Sequence, residues 1–164
     1  MSMKYHRHLG VYGICVKDRK LLVIHKNGGP YTARYDLPGG SIEPNETILN
    51  TLTREFLEET GIQVRIVNHI GTKDFVVPWT RTGFDHTHCH NIAVLYEVEY
   101  IAGDILHSPN IDDSLGAEWI NVSDMNESNA SPLVLTAKEW MESGALDIST
   151  KVYREWTIKR LETF

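Results

Sequence analysis

The chain has 164 residues, 41% hydrophobic and 23% charged, which suits a single domain with its own core and excludes a disordered or fibrous protein. Its net charge of −6 argues against a nucleic-acid polymer as partner, since phosphate backbones want a basic face, and leaves a metal-complexed nucleotide open. No apolar run approaches the roughly 20 residues that span a bilayer, no apolar stretch precedes Gly10 as a secretory leader would, and two cysteines make no disulfide framework. The expectation is a cytoplasmic protein without membrane contact, with Cys15 a buried, inert thiol in an apolar run.

Two apolar runs, 8–16 and 21–25, flank Lys17-Asp18-Arg19-Lys20 and predict a β-hairpin whose turn lacks Asn-Gly. Residues 27–46, rich in glycine and proline, read as loop with a short strand at 35–37. A helix is predicted over 46–60, capped by Asn45 and ended by Gly61, with Ile48, Leu49, Leu52 and Phe56 at helical spacing. Strands follow at QVRIV and FVVP, broken by a turn at Gly71. Residues 79–88 read as loop, 91–100 as the strongest strand, 103–116 as loop and 117–122 as a strand. A helix over 131–142 has Pro132 in its first turn, and 149–164 reads as a last helix. Strands and helices interleave, so a mixed sheet with helices packed on it is expected.

The 46–60 helix carries the chemistry. With about 100° per residue, Glu55, Glu58 and Glu59 share an arc of about 100° that overlaps the apolar stripe. Helices that need only solubility place acids opposite the core. Between Glu43 and Gly61 there are five glutamates and one arginine, most of the chain's negative charge in one element. Like charges at i,i+4 repel, and acids near a helix C-terminus oppose the dipole. A divalent cation offsets both. Just upstream, Leu37-Pro38-Gly39-Gly40 is a turn whose glycines let backbone approach a ligand, so a carbonyl can join the carboxylates around a hard cation.

Residues 40–62, GSIEPNETILNTLTREFLEETGI, resemble the Nudix box. Its fixed positions are filled by Gly40, Glu46, Arg54, Glu55, Phe56, Glu58, Glu59, Gly61 and Ile62, with an aromatic Phe56 where an aliphatic residue is commoner. Tyr35-Asp36-Leu37-Pro38-Gly39 is similar to the usual lead-in, and Glu118-Trp119-Ile120 to the strand that follows the core. The resemblance spans about 6–144 and implies one domain over 1–164, with 145–164 as a helical extension. It implies an α/β fold of the α+β type, an α/β/α sandwich with a mixed β-sheet between helices.

The activity implied is Mg2+-dependent hydrolysis of a nucleoside diphosphate linked to another moiety, with Mn2+ as an alternative cofactor. Glu55, Glu58 and Glu59 are then catalytic or metal-binding, joined at the metal by the Gly39 carbonyl. Glu55 is the first choice of base; Glu118, Asp112, Asp113 and Asp85 are alternatives, with Glu118 also a candidate metal ligand. Gly40, Glu46, Arg54 and Gly61 are structural in the motif. A homodimer is among the arrangements the resemblance allows.

Arg34, Tyr35, Pro78 and Trp79 are candidates for binding the substrate. Tyr31, Tyr35, Trp79 and Phe84 can stack on a base, and Arg34, Lys26 and Arg81 can meet phosphate. Pro78 stands 16 residues after the box, as in some ADP-ribose-cleaving members, and leans the reading toward ADP-ribose or a nucleotide sugar. Nucleoside triphosphates are the alternative, as is a nucleotide-sensing module without catalysis, against which the intact acids argue. An isoprenoid diphosphate isomerase would need a pocket cysteine, and the context of Cys89 does not suit one. His86, His88 and His90 alternate in a way a zinc site could use, but a polar loop running into a strand is preferred.

Overall fold

The first hairpin explains the layers. In β1 (Tyr5–Lys17) and β2 (Lys20–Lys26), Tyr12, Ile14, Leu21 and Val23 enter one apolar cluster, while Val11, Cys15, Leu22 and Ile24 enter another. Successive strand residues face opposite sides, so a sheet covered on both faces needs apolar residues at every position. The computed structural model describes residues 2–107 and 114–161 and shows this sheet between two helices.

The remaining elements are β3 (Tyr35–Asp36), β4 (Gly39–Gly40), α1 (Ile48–Thr60), β5 (Gln63–Pro78), β6 (His88–Ala102), β7 (Ser114–Ile120), α2 (Pro132–Ser143) and β8 (Lys151–Val152). The strand order is β3-β2-β1-β6-β5-β8, with β4 on β1 and β7 on β2. The β1–β6 and β5–β8 pairs are parallel and the others antiparallel, so the sheet is mixed. On one face α1 packs Leu52 and Phe56; on the other α2 packs Leu133, Val134 and Ala137. The expected α/β/α arrangement of α+β type is observed.

Local chemistry sets the boundaries. Asp18 and Arg19 both adopt left-handed backbone, at φ 51° and 66°, the geometry a tight hairpin demands even without Asn-Gly. The cap of α1 is Thr47, whose hydroxyl accepts from the Asn50 amide at 3.2 Å, not Asn45, which turns the preceding loop at φ 69°. Ile48 and Leu49 are exposed, so only Leu52 and Phe56 of the expected apolar stripe are core.

Gly71 does not break a strand. It sits at a bulge, and β5 runs unbroken past it because β6 supplies partners along its whole length. No helix follows Ser143 among the described residues. The expected helix over 149–164 is replaced, as far as residue 161, by extended chain containing β8. The edge of β5 offers unpaired backbone groups, and pairing with them outweighs local helix propensity.

Candidate active site

Helix α1 buries Thr51, Leu52, Glu55, Phe56, Glu59 and Thr60, one stripe facing the sheet. Two glutamates thus lie in the stripe that normally holds core residues. Glu59 is 2% exposed and Glu55 7%. An ionised carboxylate so placed is costly unless a partner compensates it. The Gly39 amide donates to Glu59 Oε1 at 2.9 Å. Burial still pushes the Glu59 carboxyl well above the usual range; the Gly39 amide and Lys26 oppose the shift, and Glu55 and Asp36 add to it.

The glycine pair is required by space. Gly39 sits at φ 145°, and a Cβ there would lie 2.1 Å from the Val11 carbonyl oxygen. A Cβ on Gly40 would lie 2.7 Å from Glu55 Oε1. As β4, these residues pair with Val11 and Tyr12 of β1, which presses the turn against the two acids.

Arg54 organises the other side of the helix. Its guanidinium meets Glu46 through Nε and Nη2, and its Nη1 reaches Glu58 at 3.0 Å and Glu55 at 3.1 Å. Glu46 Oε2 also accepts from Thr51 Oγ1 at 2.7 Å and from the Glu43 amide at 3.1 Å. The Arg54 bonds, helped by Thr51, draw the Glu46 carboxyl down to about 2. The entering loop is thereby tied to the helix. Arg54 also touches one acid of the buried pair, so it does more than flank the cluster.

Glu55, Glu59, Gly39 and Gly40 line a cavity of about 230 Å3. A second cavity, about 310 Å3, is lined by Trp79, Arg81, Tyr31 and Asn91 among others. His8, Tyr12 and Lys26 line both, so the two form one cleft with a carboxylate end and an aromatic end. Tyr12 holds this junction by a 3.0 Å hydrogen bond between its hydroxyl and His8 Nε2.

The carboxylate end suits a hard divalent cation. Among the described residues no three His, Cys, Asp or Glu side chains converge as a complete cage. Magnesium, however, keeps several waters and is commonly held by one or two carboxylates plus substrate phosphates. Two buried glutamates open to a polar cavity match that donor set, and a cation would offset the burial that now raises Glu59.

The family description "NUDIX domain" matches residues 4–143, most of the chain. The chain belongs to the Nudix family. It is 28% identical over 120 residues to the ADP-ribose pyrophosphatase of Methanocaldococcus jannaschii, covering 73% of this chain and 65% of that protein. It is 33% identical over 86 residues to the NAD-capped RNA hydrolase NudC of Deinococcus radiodurans, covering 52% of this chain and 26% of the relative. The chain therefore spans less than two thirds of the length of these curated relatives. Among solved structures, a Nudix hydrolase from Nitrosomonas europaea superposes with a TM-score of 0.64 at 20% identity, covering 93% of this chain and 80% of that one. Nudix hydrolases generally use a divalent metal.

Within this candidate site the expected residues divide. Glu55, Glu59, Gly39 and Gly40 come together; Gly61, at φ 77°, ends α1 as expected. Glu58 is drawn aside by Arg54 and is more exposed than Glu55 or Glu59. Glu118 is held by His25 Nε2 at 3.0 Å and the Tyr35 hydroxyl at 3.3 Å and does not line the carboxylate cavity. Asp85 pairs with Lys4 at the surface, and Asp112 and Asp113 lie outside the described residues.

Of the expected substrate residues, Trp79 lines the aromatic end and Pro78 ends β5 beside it. Arg34 and Tyr35 line neither cavity. Arg34 turns inward, donating to the Glu127 carbonyl at 2.9 Å and stacking 4.4 Å from the Trp156 ring, and Tyr35 packs on His25. The histidines separate: His86 packs on Trp79 and His6, while His90 bonds Asp74 at 2.7 Å. Cys15 and Cys89 are both buried, and burial pushes the Cys15 thiol up to about 12.

Sequence reading missed His8, Tyr12 and Asn91. The signal was present for the first two, since His6, His8 and Tyr12 fall at even-numbered positions, one face, of a strand that is apolar over most of its length. Asn91, at the junction of a polar histidine-rich stretch and an apolar run, carried no comparable signal.

Proposed function

We propose that this protein hydrolyses a phosphoanhydride bond in a nucleoside diphosphate linked to another group, with ADP-ribose or a nucleotide sugar as the substrate class. The observation that carries the reading is the pair Glu55 and Glu59, buried on the sheet-facing side of α1 and open to one end of a cleft whose other end is aromatic and cationic. The diphosphate lies at the junction, where Lys26 and His8 meet its oxygens; Trp79 and Arg81 take the attached group by stacking and charge. Pro78, 16 residues after the box, and the ADP-ribose pyrophosphatase among the relatives support that class.

Glu55, Glu59 and the Gly39 carbonyl would hold Mg2+ or Mn2+, with Glu58 able to join. The bound metal supplies charge neutralisation on phosphate and a more acidic attacking water. Glu55 accepts that water's proton. Arg54 keeps the Glu55 carboxylate oriented, and Glu46 keeps Arg54 in place. A reducing, cytoplasmic location and a small-molecule partner fit the two buried free thiols and the net charge of −6.

The test is a panel of ADP-ribose, nucleotide sugars, NADH, nucleoside triphosphates and dinucleoside polyphosphates, incubated with Mg2+ or Mn2+ and resolved by chromatography. Metal-dependent appearance of a nucleoside monophosphate from ADP-ribose or a nucleotide sugar is the expected result. Preference for a nucleoside triphosphate would replace the substrate class, and no cleavage of any compound would sink the hydrolase reading.

A further inference from the structure

Residues 145–161 lie beyond the part of the chain matched as NUDIX domain, and they connect the two walls of the aromatic cavity. One end is fastened to β5, the strand that leads to Trp79. There β8 pairs with Phe75 and Val76, Thr150 Oγ1 donates to Asp74 at 2.7 Å, and the buried Lys73 ammonium donates to the carbonyls of Asp147 at 2.7 Å and Ser149 at 2.6 Å. The other end reaches the loop 29–34, which contributes Gly29, Pro30 and Tyr31 to the opposite wall. Trp156 Nε1 donates to the Pro30 carbonyl at 2.9 Å, its ring meets Tyr31 edge-on at 5.9 Å, and Arg34 stacks on it. Beyond it, Lys159 donates to the Ser128 carbonyl.

The loop needs this support. Ala33 sits at φ 60°, which an alanine keeps only where its surroundings hold it. Among the described residues, the buried side-chain polar atoms without a hydrogen bond are the Tyr31 hydroxyl, Arg34 Nη1 and Asn91 Oδ1, all at this corner. The Asn91 side chain is near enough to Tyr31 to lower its pKa somewhat, against a larger upward push from burial, but the hydroxyl has no bond of proper geometry. Arg34 is held by its bond to the Glu127 carbonyl and Tyr31 by the buried cluster around it, and Trp156 is the side chain that packs on both.

We infer that the C-terminal strap, through Trp156, positions loop 29–34 and so sets the width of the cavity that receives the group attached to the diphosphate. Trp156 is a positioning residue: it touches the loop and lines neither cavity. The kinetic part of this inference rests on the proposed hydrolase reading; the positioning part does not.

The experiment compares the full-length chain with Trp156→Ala and Trp156→Phe. Amide hydrogen exchange reads the loop directly, since the Ala33 and Arg34 amides donate to the Lys26 and Tyr31 carbonyls. In Trp156→Ala these two amides should exchange about tenfold faster while α1 stays within about twofold of the parent. KM for the cleaved nucleotide should rise about five- to tenfold with kcat nearly unchanged, the signature of lost binding without lost chemistry. Trp156→Phe, which keeps the ring and loses the donor, should fall between.

Unchanged exchange at Ala33 and Arg34 overturns the inference whatever the kinetics. So does faster exchange throughout α1 with kcat and KM worsening together, which would mark Trp156 as merely structural. If the parent cleaves nothing in the panel, the hydrolase reading fails, and the exchange data alone decide the strap.

Discussion

At the residue scale, the decisive feature is the burial of two carboxylates that a helix concerned only with solubility would turn outward. In the proposed mechanism Glu55 is the acid that takes a proton, and it lines the cavity, rests against Gly40 and pairs with Arg54. Glu55→Gln keeps the shape and removes the base, so kcat should fall by about 10²–10⁴ with an unchanged thermal midpoint. Glu59 makes a separate prediction about pH. Its folded pKa is raised from the ordinary 4.5, so above that pH the native state binds more protons than the unfolded chain. Stability of the metal-free protein should therefore fall as pH rises from about 4.5 through the raised value. Glu59→Gln should flatten that slope, and Mg2+ should do so only in the parent. Urea titrations across the pH range, with and without metal, check this; a slope indifferent to the Gln substitution would mean that Glu59 ionises freely.

At the scale of elements, what sequence could reveal depended on whether local pattern or distant packing made the choice. Helix α1 was legible because its spacing, its terminal Gly61 and its acids are local, although the N-cap was misplaced by two residues, from Thr47 to Asn45. Phe56, fully buried between α1 and β1, is the anchor of that helix, and Phe56→Ala should cost about 3–5 kcal/mol in chemical denaturation. The β1–β2 hairpin was equally legible, yet its turn holds two non-glycine residues in left-handed backbone. Replacing Asp18-Arg19 with Asn-Gly should relieve that and raise stability by about 1 kcal/mol, seen as a higher urea midpoint. The strap after α2 was illegible because nothing in its own residues announces that the edge of β5 awaits a partner. The inward turn of Arg34 was hidden for the same reason, since Trp156 lies far along the chain.

At the scale of the whole molecule, the cleft is assembled from segments remote in sequence: His8 and Tyr12 from β1, Lys26 from β2, Trp79 from the end of β5 and the glutamates from α1. The carboxylate end could be read in advance because one contiguous motif builds it. The aromatic end could not, because its walls meet only after β1 pairs with β6 and β6 with β5. This division predicts a division of kinetic effects. On the proposed function, substitutions at the aromatic end remove contacts that substrate and transition state share, so they should raise KM and spare kcat, whereas those at the carboxylate end should lower kcat. Trp79 carries the clearest test, because it lines the cavity and packs against Arg81 at 4.6 Å and His86 at 5.0 Å. Loss of one stacking surface is worth about 1–3 kcal/mol per base, so Trp79→Ala should raise KM about 5- to 150-fold. Steady-state kinetics on the best substrate, beside Glu55→Gln, measures both effects. If Trp79→Ala instead lowers kcat with KM intact, the aromatic cavity belongs to the chemical step and the attached group binds elsewhere.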